Sequence, residues 1–210
     1  MLLACEGNAK RFVAERCDAP GFGKLEAFAD LLARENERQN LIAQSSVAHI
    51  WVRHIADSAQ LQDHVSRGTG LWLDLGSGAG FPGLVISILS PEREVVLIES
   101  RRLRIDWLNE MIDKLALKNC SVAGQDVQTV PPRAAAVISA RAFAPLDRLI
   151  RLSARFSTKQ TEWVLPKGRS AFQEVAALNS RHANLFHVEQ SVTDPDAGIV
   201  VGRGQVEIAQ

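Results

Sequence analysis

Between residues 71 and 83 the chain reads Leu71-Trp72-Leu73-Asp74-Leu75-Gly76-Ser77-Gly78-Ala79-Gly80-Phe81-Pro82-Gly83, a short apolar run that breaks into four closely spaced glycines. The apolar run suits a buried strand, the glycines suit a tight turn, and Pro82 suits a first helical turn, where its missing N–H is not needed. Strand, glycine turn and helix in succession form the opening unit of a doubly wound α/β sheet, so the rest of the chain must supply further βα units to bury that strand on both faces. Glycines also let backbone N–H groups approach a ligand closely, and a helix start adds positive potential. A polar or anionic ligand is expected there.

The sequence downstream keeps this rhythm. Strands are expected at 71–75, 95–99, 121–123, 136–140 and 162–166, with crossover helices at 82–89, 101–117, 145–156 and 170–179. The rhythm then breaks: 184–189 and 199–208 flank the turn-rich Thr193-Asp194-Pro195-Asp196-Ala197-Gly198, which predicts a closing antiparallel hairpin. Upstream, apolar residues at helical spacing predict helices over 24–40 and 47–65, and the breakers Arg67-Gly68-Thr69-Gly70 mark a boundary. The expected organisation is a helical extension over 1–67 followed by a Rossmann-like α/β domain over 68–210. With 46% hydrophobic and 23% charged residues the chain can bury a full core. Its formal net charge is zero, so a polyanionic partner would have to be held by a local patch. Three widely spaced cysteines fit neither a disulfide framework nor a zinc cluster, and no apolar run is long enough to span a bilayer. A cytoplasmic protein with no membrane partner is expected.

The glycine loop admits two cofactors. Gly78-Ala79-Gly80-Phe81-Pro82-Gly83 satisfies the dinucleotide fingerprint, and Glu99 ends the next strand at a distance suited to a ribose diol, as a nicotinamide oxidoreductase would require. Asp74 weighs against a pyrophosphate, which its carboxylate would repel, and favours a ligand bearing an ammonium group. S-adenosylmethionine carries an ammonium, a carboxylate and a ribose diol, so it uses Asp74, Gly78, Gly80 and Glu99 without any phosphate. A seven-stranded sheet with a terminal antiparallel hairpin is also the class I methyltransferase form of this architecture, an association of fold rather than of chemistry.

The segments around the loop resemble one family. Asn36 with Asn40-Leu41, Arg53-His54-Ile55-Ala56-Asp57-Ser58, the Asp74 to Gly83 loop, Val137-Ile138-Ser139-Ala140-Arg141-Ala142-Phe143-Ala144 and Lys167-Gly168 are similar to the bacterial small-subunit ribosomal RNA guanine-N7 methyltransferases, also called glucose-inhibited division protein B. The resemblance implies S-adenosylmethionine as cofactor, with Gly76 and Phe81 in the loop, Val127 and Gln128 near the adenine, and Arg141 after the fourth strand. Gln128 stands where the family usually has Glu, and Ala136 where it often has Asp. The implied reaction is methylation of N7 of guanine 527 in 16S ribosomal RNA, on the RNA or the small subunit, by a monomeric enzyme.

Guanine N7 has an in-plane lone pair and no proton, so its methylation needs alignment rather than a general base, and no catalytic acid or base is assigned. His54 and Asp57, three residues apart, are expected to brace one another or the loop. From 141 to 169 there are seven basic residues against two acidic ones. Arg148, Arg151 and Arg155 would form one helical stripe, and with Lys167 they are the expected RNA contacts. The stripe would serve equally as a solvated helix face, as would Arg101, Arg102 and Arg104. A small-molecule methyltransferase and a non-catalytic ribosomal-RNA-binding assembly factor stay open as alternatives at this level.

Overall fold

Strand β1 (Trp72–Leu75) is buried along its whole length and lies parallel between β2 (Val95–Ile98) and β4 (Val137–Ala140) in a computed structural model that describes residues 2–207. β3 (Cys120–Ala123) extends the sheet beyond β2, and β5 (Glu162–Gly168) extends it parallel to β4. The chain closes with β6 (Phe186–Gln190) and β7 (Gly198–Arg203), an antiparallel pair whose β7 inserts beside β5. The strand order is therefore β3-β2-β1-β4-β5-β7-β6. The seven-stranded, mostly parallel sheet with a terminal hairpin is the expected Rossmann-like architecture. The final strand, expected over 199–208, is Gly198–Arg203; residues 204–207 are not strand and residue 208 lies outside the described residues.

Because strand side chains alternate, one face of β1 presents Trp72 and Asp74 and the other Leu73 and Leu75. The first face is covered by α1 (Glu6–Ala14), α2 (Ala19–Gln39), α4 (Gly83–Leu89) and α5 (Arg102–Lys114), which bury Val13, Phe28, Leu84 and Trp107 against it. The second face is covered by α6 (Leu146–Ser153), α7 (Ala171–Ala176) and α8 (Ser180–Ala183), over Leu146, Leu149, Phe156 and Trp163. The helical N-terminal third thus shares one apolar core with the sheet.

Three features of the N-terminal third depart from the sequence expectation. Helix α2 begins at Ala19 rather than near 24, because the Asp18 carboxylate accepts from the Gly21 N–H at 2.8 Å and Pro20 occupies the first turn. Helix α1 buries only Ala9 and Val13, too few positions to declare a period. The single helix expected over 47–65 is instead a 3-10 turn (Gln44–His49), a π-helical turn (Trp51–Ala56), the short α3 (Asp57–Ala59) and a second 3-10 turn (Gln60–His64). Its free amides at Trp51 and Val52 donate to the Glu6 carboxylate at 3.0 and 2.9 Å, which ties α1 to this segment. A recurrence of every three to four apolar residues is common to all these helix types, so periodicity alone could not separate them.

Candidate functional site

Crossovers leave β1 in one direction and β4 in the other, so a crevice opens beyond the carboxyl ends of these two strands. The glycine loop forms its floor. Gly76, Gly78 and Gly80 have φ of +66°, +56° and +105°, a region that side-chain-bearing residues rarely adopt. Their surroundings differ. A Cβ on Gly76 would run into the Phe143 ring and one on Gly80 into Leu84, whereas at Gly78 the nearest atom would be the Gly76 carbonyl oxygen, 3.7 Å away. Gly78 therefore leaves open a space that any side chain would fill. The loop is braced from behind by Trp107, whose indole N–H donates to the Ala79 carbonyl at 3.0 Å. Phe81 is wedged between Phe28 and His54, with ring centroids at 5.2 and 5.0 Å, and the Arg141 guanidinium lies 4.8 Å from its ring centroid. Such pairs contribute roughly 0.5–1.5 kcal/mol each beyond apolar burial.

A cavity of about 420 Å³ opens above this floor, within the roughly 300–1,000 Å³ range of small-ligand sites. Of the residues expected from the sequence, it gathers Gly76, Gly78, Phe81, Glu99, Val127, Gln128 and Arg141 on its walls. Glu99 is 7% exposed. One carboxylate oxygen accepts from the Ser100 and Arg101 N–H groups at 2.8 and 2.9 Å, and the other accepts from the Gly78 N–H at 3.0 Å. A carboxylate has about four lone-pair directions, so Glu99 is rigidly held with acceptor capacity left. Arg104 lines the same cavity, and burial holds its guanidinium below the usual arginine range. Its Nη2 donates to the Gln39 and Asn40 carbonyls, while Nη1 is buried without a partner. An anionic acceptor and an incompletely satisfied cation on one wall suit a ligand that carries both a diol and a charged end.

Asp74 and Gly80 do not line this cavity. Asp74 is fully buried on the α4 side of the sheet, where it accepts from the Ser139 hydroxyl at 2.8 Å and the Gly83 N–H at 3.2 Å. Ser139 in turn accepts from the Trp72 indole at 2.8 Å. Burial pushes the Asp74 carboxyl above the usual range, and its hydrogen bonds oppose that shift. The expected ammonium contact is thus replaced by an internal one: Asp74 tethers the start of α4 to β1. A strand residue next to the turn can face a ligand or the helix, and alternation with the core-facing Trp72 puts Asp74 under the helix.

A second cavity, of about 1120 Å³, lies on the other side of the segment Arg141-Ala142-Phe143-Ala144, which lines both. Ala142 sits there at φ +51°, a conformation that costs a residue with a Cβ roughly 1–2 kcal/mol. Arg141 is fixed from behind. Its Nη1 donates to His54 Nδ1 at 3.0 Å and to the Arg53 carbonyl at 3.3 Å, and lies 3.6 Å from Asp57. His54 and Asp57 accordingly brace Arg141 rather than each other. With Nδ1 accepting, the His54 proton sits on Nε2, 2.9 Å from the Ser46 hydroxyl. Burial, together with the Arg141 and Arg53 charges, pushes the imidazole down to about 3, so it is neutral. Burial raises the Asp57 carboxyl while Arg141 opposes the rise. At the far end of the segment, Lys167 donates to the Ala144 carbonyl at 2.6 Å and pairs with Glu174 at 3.0 Å. Glu174 also accepts from the Leu146 N–H at 2.6 Å.

The profile of the rRNA small subunit methyltransferase G family matches residues 22–198. The chain belongs to this family. Proteins of that name from Erythrobacter litoralis and Novosphingobium aromaticivorans are 59% and 52% identical to it, over 98% and 97% of this chain and 100% and 90% of theirs. Among solved structures, a S-adenosylmethionine-dependent methyltransferase from Aquifex aeolicus (TM-score 0.52, 15% identity, 70% of this chain and 88% of that one) shares its fold. A MtNAS variant in complex with S-adenosylmethionine (TM-score 0.57, 14% identity, 95% and 77%) does so too.

In this member of the methyltransferase G family the expected RNA-binding residues separate. Arg148 is exposed at the rim of the smaller cavity. Arg151 pairs with Asp147, and Arg155 donates to the Gln128 carbonyl at 2.5 Å. Lys167 lines the larger cavity, with its ammonium held by the Ala144 carbonyl and paired with Glu174. Two further residues serve the site from α5: Arg104, which in the sequence looks like solvated charge, and Trp107, which looks like ordinary core.

Proposed function

We propose that this protein transfers a methyl group from S-adenosylmethionine to N7 of one guanine, guanine 527, in 16S ribosomal RNA. The observation that carries the reading is the shared wall: one cavity built on the glycine loop and a larger one beside it are divided only by residues 141–144. The family to which the chain belongs, and its methyltransferase-like fold, support the class of reaction. The residues present fit the cofactor. Gly78 leaves room for it, Glu99 offers a rigid acceptor to a diol, and Arg104 offers a buried donor to a carboxylate. S-adenosylmethionine supplies a methyl group on a sulfonium, an electrophile ready for transfer without further activation.

The chain's own task is then positional. N7 carries its lone pair in the ring plane and no proton, so no side chain need accept one, and the neutral, solvent-poor His54 is held as a brace rather than as a base. Arg141, fixed by His54 and Asp57, holds the dividing wall in one geometry between the two cavities. Fixing two reactants in line contributes roughly 7–11 kcal/mol in favourable cases, which is the scale such a wall can supply. Mass spectrometry of 16S ribosomal RNA from a deletion strain and from its complemented form tests the assignment. N7-methylguanosine at position 527 should vanish on deletion and return with the gene; its persistence would overturn the reading.

A further inference from the structure

We propose that the Arg53–Asp194 pair on the wall of the larger cavity reads the Watson–Crick edge of the target guanine and selects it against other bases. The inference rests on the RNA guanine-N7 reading above and names the residues that carry its base selectivity. The two side chains come from distant parts of the chain, the π-helical turn and the loop between β6 and β7, and meet with Arg53 Nη1 3.2 Å from an Asp194 carboxylate oxygen. Both line the cavity. The pair is accessible, with side chains 54% and 30% exposed, so a ligand can reach it. The other Asp194 oxygen accepts from the Asp196 N–H at 3.0 Å, which fixes the carboxylate on its loop.

A guanidinium beside a carboxylate presents donors next to acceptors. Guanine presents the complementary edge, an O6 acceptor followed by the N1–H and N2–H donors. Adenine presents a 6-amino donor followed by an N1 acceptor, which would set donor against donor at Arg53 and acceptor against acceptor at Asp194. Setting like groups against one another in this way, where guanine would pair both, is what gives discrimination between bases. The edge also matters for the reaction. A base held by O6, N1 and N2 keeps N7 free, whereas an arginine that took O6 and N7 together would block the methylated atom. The Arg53 carbonyl accepts from Arg141, so the pair stands directly beside the wall shared with the smaller cavity. At about 1120 Å³ the larger cavity exceeds the roughly 300–1,000 Å³ of small-ligand sites and admits a nucleotide with its flanking backbone. Extruded bases are characteristically read in this way, along the Watson–Crick edge.

The test uses 16S ribosomal RNA assembled with either guanine or inosine at the target position, inosine lacking only the N2 amino group. Methyl transfer is measured for the parent, Asp194→Ala and Asp194→Asn, with S-adenosylhomocysteine binding as a check that each variant is folded. The parent should favour guanine about tenfold in kcat/KM, the scale of one hydrogen bond to a charged acceptor. Both variants should bring that ratio close to one while leaving S-adenosylhomocysteine affinity intact. A parent ratio near one, or variants that lower both RNAs by the same factor, would overturn the proposal and leave the pair a structural contact. Absence of transfer by the parent to either RNA would overturn the methyltransferase reading on which it rests.

Discussion

The two cavities are built in opposite ways. The smaller one has a floor of backbone, the turn after β1, and walls that add the Glu99 carboxylate after β2, Arg104 of α5 and residues 125–128 and 141–144. The larger one is lined from four remote segments, residues 43–57, the wall after β4, the end of β5 with the start of α7, and the loop between β6 and β7. A backbone-built pocket is defined by which residues lack side chains, and it tolerates little variation. A side-chain-built pocket can change what it recognises through single substitutions while the frame persists. In a methyl-transfer enzyme the first arrangement suits a universal cofactor and the second a particular substrate.

The largest expected effect falls on the backbone side. Gly78→Val places a β-branched side chain at φ +56° in the one loop position that is open to the cavity. S-adenosylhomocysteine affinity should fall roughly 100-fold or more, about 2.7 kcal/mol, while circular dichroism still reports a folded chain. Normal binding by a folded variant would show that the loop is only a turn and would erase the contrast between the cavities.

A smaller effect should appear where the cavities meet. His54 stays neutral in the folded protein down to about pH 3, whereas the unfolded chain takes up its proton near the ordinary value of 6.5. Between these limits the unfolded state binds more protons, so His54 lowers stability as the pH falls, by at most about 1.4 kcal/mol per unit. Asp57 and Asp74, both raised, act in the opposite sense, their contribution being present at low pH and lost as the pH rises through their folded values. Comparing His54→Gln with the parent isolates the histidine. Urea unfolding at pH 7 and pH 5 should show a shallower acid loss in the variant; parallel losses would mean that the imidazole is not held neutral against Arg141.

The same contrast explains what could be read from the sequence. Periodicity and the glycine turn located the strands, their crossovers and most of the smaller cavity, because backbone chemistry leaves local marks. Asp74 stands out in the sequence as a candidate ligand contact, since nothing local shows that alternation aims it under α4 with Ser139. The 47–65 segment reads as one helix because π, α and 3-10 turns share nearly the same apolar spacing. Lys167 reads as a free cation because charge counts ignore partners, whereas Glu174, one turn into the next helix, pairs with it. The Arg53–Asp194 meeting leaves no local trace at all, since the two residues come together only when the hairpin folds back over the N-terminal helices.

The division of labour between the cavities can be tested directly by amide chemical-shift mapping of the isotope-labelled protein with two separate ligands. S-adenosylhomocysteine should move Gly78, Ser100, Val127 and Gln128, and guanosine monophosphate should move Arg53, Thr193 and Asp194. Only Arg141 to Ala144 should respond to both. Shifts from both ligands confined to one and the same set of residues, or S-adenosylhomocysteine shifts that spare the glycine loop, would contradict the two-sided site.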